Sequence, residues 1–181
     1  MKRIILLAFM LIGSRLFAQE WKVVEWEGKS QAEIRSALKV WVADYFRSAK
    51  DVLQLDEKDR IIVKGKADLN ETSVSSGLSI PVNYVMDFTI DFQLKDSKYR
   101  YIIKDIFLSD RQGKYTLQSL SSENDDNRKL ALQYKGNTKK GIEAGIAAIE
   151  RIIDQSKYFS EKLKSDIEAI PLKTKSETEN W

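Results

Sequence analysis

The sequence predicts an α+β fold, ordered strand, helix, four strands, helix, with a curved antiparallel sheet whose helices pack on one face. Three patterns carry this prediction. Val82 to Leu94 places an apolar residue at every second position, the period of a half-buried strand. Ile34, Ala37, Leu38, Trp41 and Tyr45 recur at helical spacing. Thr138 to Glu168 repeats apolar residues at the same spacing over a much longer run.

Taken in order, "EWKVVEWE", 20–27, reads as a first strand with Val24 and Trp26 on one face. Ser30 and Glu33 form a capping box, which opens a helix from Ser30 to about Ala49. "DVLQLD", 51–56, and "RIIVKGKA", 60–67, form an antiparallel pair. A three-residue loop would set Leu55 against Ile61 and Leu53 against Val63. Residues 70–81, "NETSVSSGLSIP", are small and polar and read as a long connection. Their Asn70-Glu71-Thr72 fits a glycosylation acceptor pattern, a match too short to carry weight.

The run from Val82 to Leu108 forms a hairpin turning at Asp96-Ser97. That turn opposes Leu94 with Tyr99, Phe92 with Tyr101, Ile90 with Ile103 and Met86 with Phe107. Both tyrosines then lie on the apolar face, as cross-strand core pairs. The other face opposes Gln93 with Arg100, Asp91 with Ile102, Thr89 with Lys104 and Asp87 with Ile106. Asn124 to Tyr134 predicts a short helix. The long helix then presents Ile142, Ile146, Ile149, Ile153, Phe159, Leu163 and Ile167, before Pro171.

The N-terminus has its own logic. Lys2 and Arg3 precede nine unbroken apolar residues, Ile4 to Ile12, and Ala18 supplies a small residue before Gln19. This is the layout of a signal peptide over 1–18, too short for a bilayer span of roughly 20 residues. The chain therefore divides into a leader, 1–18, a single domain, 19–170, with a C-terminal helical extension from about 109, and a flexible tail, 171–181. The 30 basic residues exceed the 27 acidic ones only through Lys2, Arg3 and Arg15, so the mature domain is neutral. A neutral exported domain lacks the bias that drives phosphate-backbone binding, and its basic and aromatic residues fall on opposite sheet faces. We expect no nucleic-acid partner and no transmembrane span after cleavage.

The chain contains no Cys and no His. Thiolate chemistry is excluded, and the commonest general base and metal ligand near neutral pH are absent. No phosphate loop, nucleophile elbow or metal-binding helix motif is present. Asp87 and Asp91 share a strand face, but four residues at about 3.3 Å each separate them by roughly 13 Å, too far to share a proton or one metal ion. The acidic run 123–127 lacks calcium-loop spacing.

The capped helix with Trp41, the "LDEKDRIIVKGKA" hairpin and the "KDSKYRY" turn resemble an exported bacterial domain of unknown function with a TATA-binding-protein-like (TBP-like) fold, over about Trp21 to Leu108. The family commonly has Gly where this chain has Ser97, which implies a strained or longer turn here. The resemblance implies a TBP-like sheet and an exported protein of a Gram-negative bacterium, periplasmic or associated with the outer envelope. It implies no activity.

The functional expectation is a non-catalytic binding module of the cell envelope, without cofactor or metal, for an unknown protein or envelope ligand. The candidate binding residues are those of the open sheet face: Asp87, Thr89, Asp91, Gln93, Arg100 and Lys104. A simpler reading makes them an ordinary solvated face. The alternative function is a carboxylate-dependent hydrolase or transferase with a site assembled from distant segments, which a deep pocket would reveal. An assembly component would instead expose a sheet edge or an apolar patch.

Overall fold

A computed structural model of the chain describes residues 20–46 and 48–172. The expected leader over 1–18, Arg47 and the tail beyond residue 172 lie outside the described residues. The elements run β1 (Lys22–Glu25), α1 (Gln31–Tyr45), α2 (Ala49–Val52), β2 (Leu53–Asp56), β3 (Arg60–Ser75), β4 (Leu78–Lys95), β5 (Lys98–Ser109), β6 (Lys114–Tyr115), α3 (Leu117–Ala131) and α4 (Gly136–Glu168). The sheet is antiparallel and open, ordered β1-β5-β4-β3-β2, with β6 added to β5.

Helix α1 begins as the sequence predicts. The Ser30 hydroxyl accepts from the Glu33 N–H, and the Glu33 carboxylate accepts from the Ser30 N–H. Those hydrogen bonds, with Lys29 beside them, hold the Glu33 carboxyl down at about 2. Asp96 and Leu94 fix the start of the helix by accepting from Gln31. Asp56 of β2 takes Arg35 and Lys39 further along. The helix thus crosses the sheet from the β4–β5 turn to the β2 edge, burying Ile34, Leu38, Trp41 and Val42 beneath it. It ends four residues earlier than expected. Phe46 becomes extended and its ring packs near Phe88 and Gly65, where no other residue leaves room.

Three register expectations change. The β2–β3 loop has two residues, Lys58 and Asp59, because the Glu57 N–H donates to the Arg60 carbonyl. Leu55 therefore faces Ile62 rather than Ile61, and a bulge restores the Leu53–Val63 pair. The bulge lets a two-residue turn coexist with an inward Leu53. Residues 70–81 are not a connection but the far half of the β3–β4 hairpin, which turns at Ser76-Gly77 with φ of 52° and 79°. Two successive positive φ values match the twist of a hairpin. The polar residues there misled the pattern because the arm projects beyond most of the core. Glu71 accepts from Arg151 and Gln155 of α4, which ties the arm to the helix layer.

The β4–β5 hairpin turns at Asp96-Ser97 without an added residue, Ser97 taking φ 63°. Leu94–Tyr99, Phe92–Tyr101 and Ile90–Ile103 pair as predicted. Beyond Thr89 the register shifts by one: Asp87 faces Phe107, not Ile106, and Met86 faces Leu108, not Phe107. The extra residue lies at Asp105, whose φ of 54° is a conformation Asp tolerates better than most residues. The shift delivers Leu108 to the core and leaves Phe107 half-buried under Lys114.

The C-terminal half is more structured than its pattern suggested. Helix α3 begins at Leu117, seven residues before the expected Asn124, because Thr116 and Ser119 cap each other reciprocally. Helix α4 buries Ile146, Ile153, Leu163 and Ile167 as predicted, and Ile152 and Ala148 as well. With α1 it roofs one sheet face. Tyr99 and Tyr101, each 1% exposed, lie beneath that roof. The Tyr99 hydroxyl donates to the Ile167 carbonyl at 2.6 Å and the Tyr101 hydroxyl to Glu168 at 2.8 Å. Burial, with Glu168 nearby, pushes both phenols far above their ordinary value.

Candidate functional site

Because side chains alternate along a strand, the face opposite the helices carries Asp87, Thr89, Asp91 and Gln93 from β4, and Arg100 and Lys104 from β5. All six predicted residues share this face. They do not form the uniformly solvated surface of the simpler reading. Asp91 is 1% exposed and Thr89 is also buried, since longer neighbours close over them.

The arrangement centres on Asp91. Arg60 of β3 donates from Nε to Oδ1 at 3.0 Å and from Nη2 to Oδ2 at 2.8 Å. Lys104 donates from Nζ to Oδ2 at 2.8 Å. Burial alone would raise the Asp91 carboxyl, but the hydrogen bonds from Arg60 and Lys104 outweigh it and hold it below the usual carboxylate range. The Asp91 bonds in turn hold the Arg60 guanidinium above its ordinary value. Asp91 is therefore a fixed anion that orients two cations, and it is poorly suited to proton transfer near neutrality.

Gln93 plays a similar part for Arg100. Its Oε1 accepts from Nε and Nη2 of Arg100 at 3.0 and 2.7 Å, while the guanidinium lies 4.6 Å from the Trp21 ring centroid. Stacking on an indole and a neutral amide partner fix the guanidinium without consuming its charge. Asp87 pairs more loosely with Lys66, at 3.6 Å.

Register places these groups in rows across the strands. One row runs Arg60, Gln93, Arg100, Val23; the next holds Ile62, Asp91 and Ile102; a third holds Lys64, Thr89 and Lys104. An apolar row with a buried anion at its centre thus lies between two rows rich in cations. Val23 is 58% exposed and Trp21 37% exposed at the β1 end. Sequence reasoning missed Arg60, Trp21 and Val23. The signal for Arg60 was its diagonal position relative to Asp91 across β3–β4, legible only once that register is known.

Elsewhere, an open recess of about 280 Å³ lies between α3 and α4, lined by Leu132, Ile146 and Arg128 with Glu150. Its charges satisfy one another: Arg128 bonds both Asp125 and Glu150. Among the described residues no cluster of three or more carboxylates is placed to hold a metal ion, and no helix is long and apolar enough to cross a membrane.

A family model described as a domain of unknown function (DUF4468) with TBP-like fold matches residues 21–108. Among solved structures, the chain is similar to a DUF4468 family protein from Bacteroides ovatus, at TM-score 0.53 and 16% identity over 84% of each chain. It is also similar to a TBP-like protein from Parabacteroides distasonis, at TM-score 0.50 and 20% identity, over 84% of this chain and 91% of that one. At such identities the likeness is one of fold. Both neighbours come from Gram-negative bacteria. No curated protein matches the chain. Residues 21–108, which build β1 to β5 and α1 and with them the open face around Asp91, are thus similar to domains of unknown function of the DUF4468 family, and the fold is TBP-like.

Proposed function

We propose that the protein is an exported, non-catalytic binding module of the cell envelope, and that its partner docks on the open sheet face. One observation carries this reading. A sheet face left uncovered by helices is nonetheless preorganised, with Arg60, Lys104 and Arg100 each held by a specific acceptor beside exposed Trp21 and Val23. Fixed side chains lose little freedom on binding, which favours a recognition surface. The depressed Asp91 carboxyl speaks against a general acid–base role for the most enclosed carboxylate of the face. Export rests on the charged, apolar and small-residue sequence of positions 2–18.

The test has two arms. Fractionation of cells producing the full chain should place it in the envelope, and replacement of the apolar run by polar residues should keep it in the cytoplasm. Immobilised protein should then capture an envelope component that is lost with the open-face pair Trp21→Ala and Val23→Glu but kept with Leu132→Glu on the helix layer. Equal capture by all three proteins would refute the assignment of the face.

A further inference from the structure

Resting on that reading, we infer that the open face recognises an acidic, extended polypeptide segment of its partner. Its carboxylates meet Arg100, Lys95 and Lys64, and its apolar side chains meet the half-buried Ile62 and the exposed Trp21.

Pairing on this face leaves positive charge over. On this face Asp91 takes Arg60 and Lys104, Asp87 takes Lys66, and Glu25 takes Lys98. Among the described residues, Arg100, Lys95 and Lys64 have no carboxylate within ion-pair distance. Arg100 instead has the neutral Gln93, bonded through Nε and Nη2, and the Trp21 ring. Asp68, two positions beyond Lys66 on β3, also has no ion pair among the described residues, but it lies roughly 13 Å along the strand from Lys64. A domain that is neutral over residues 19–181 therefore concentrates positive charge without a described acidic partner on the sheet face that the described helices leave open.

The spacing selects an extended ligand. Lys64 and Arg100 stand on strands two apart and four residues apart along the sheet, a separation of about 16 Å from strand spacing and rise. No single small anion spans that distance, whereas a chain bearing several carboxylates does. Between the cations, Ile62 and Trp21 at the ends of the row remain accessible to hydrophobic side chains, which a polypeptide can alternate with its acids.

Nucleic acid is the competing polyanion, and the face is poorly made for it. Base binding on a sheet needs exposed aromatic platforms. Tyr99 and Tyr101 are sealed under α4, and the exposed Trp21 already has Arg100 against its ring.

Fluorescence anisotropy of labelled polyglutamate with the purified protein tests the inference, beside a single-stranded oligonucleotide of equal charge. We expect polyglutamate to bind with an affinity that falls as salt rises. The double variant Arg100→Gln with Lys64→Gln should weaken it about tenfold, two partly screened ion pairs' worth. Lys162→Gln on the exposed side of α4 should leave it unchanged. Tighter binding of the oligonucleotide, or equal loss with Lys162→Gln, would overturn the assignment. So would an absence of polyglutamate binding; if envelope capture still depended on Trp21 and Val23, the ligand chemistry would fail while the docking face stood.

Discussion

Replacing Asp91 by Asn keeps its shape and removes its charge, and the consequence can be worked from the geometry. The wild-type carboxylate is 1% exposed and accepts three charge-assisted hydrogen bonds. Asn offers one acceptor and turns an NH₂ group toward two cations. Breaking a fully buried pair costs about 3–5 kcal/mol, because the surviving charge is stranded. Here the survivors are not stranded: the Arg60 and Lys104 side chains are 40% and 30% exposed and can turn to water. The cost should therefore fall between that figure and the ~1 kcal/mol ceiling of an exposed pair, at about 2 kcal/mol. For a domain of this size that lowers Tm by about 4–8 °C. Urea unfolding followed by tryptophan fluorescence measures it directly.

The pH dependence checks the cause. A carboxyl whose pKa is depressed in the folded state stabilises above its unfolded value of about 3.9, and that contribution disappears as pH falls through the folded value. The gap between wild type and Asp91→Asn should be full near neutrality and close in strong acid. Identical urea midpoints near neutrality, or a gap that persists in strong acid, would refute the view of Asp91 as a charged anchor.

Three further outcomes follow from the packing. Gly65→Ala should destabilise by about 1–3 kcal/mol in the same unfolding assay, since a Cβ there would lie 2.3 Å from Phe88 Cζ and 2.9 Å from Phe46 Cε1. Tyr99→Phe should cost about 1–2 kcal/mol, through loss of the buried bond to the Ile167 carbonyl; in alkaline titration of the folded wild type, the Tyr99 and Tyr101 absorbance should stay phenolic well above the ordinary range, with Tyr84 pushed up to about 12. Pro81→Val should promote self-association in light scattering. The alternation of the β3–β4 ladder turns the backbone nitrogen of residue 81 away from β3, toward the side where β5 pairs only from Val85 onward, so proline removes one donor from an uncovered edge.

Local chemistry was legible where it was self-contained. The Ser30–Glu33 box, the inward tyrosines and the α4 stripe each depend on residues a few positions apart or on a strict period, and each appears where the sequence puts it. Prediction failed where one residue's conformation reset everything after it. Asp105 at positive φ moved Phe107 and Leu108 by one position, and Ser76-Gly77 turned an apparent loop into a long hairpin arm. Polar arms carry no hydrophobic period, because no core demands one.

By itself the sequence determined which residues of β4, and of β5 up to Lys104, share a face and which face the helices cover, since alternation and helical period are properties of the chain alone. Only the tertiary structure decided that Asp91 is enclosed, that Arg60 encloses it, and that Arg100, Lys95 and Lys64 meet no acid among the described residues. Those facts depend on the register between strands 31 residues apart in sequence and on which long side chains reach across it. Pairing distances of this kind are set by the assembled sheet, and no local pattern encodes them.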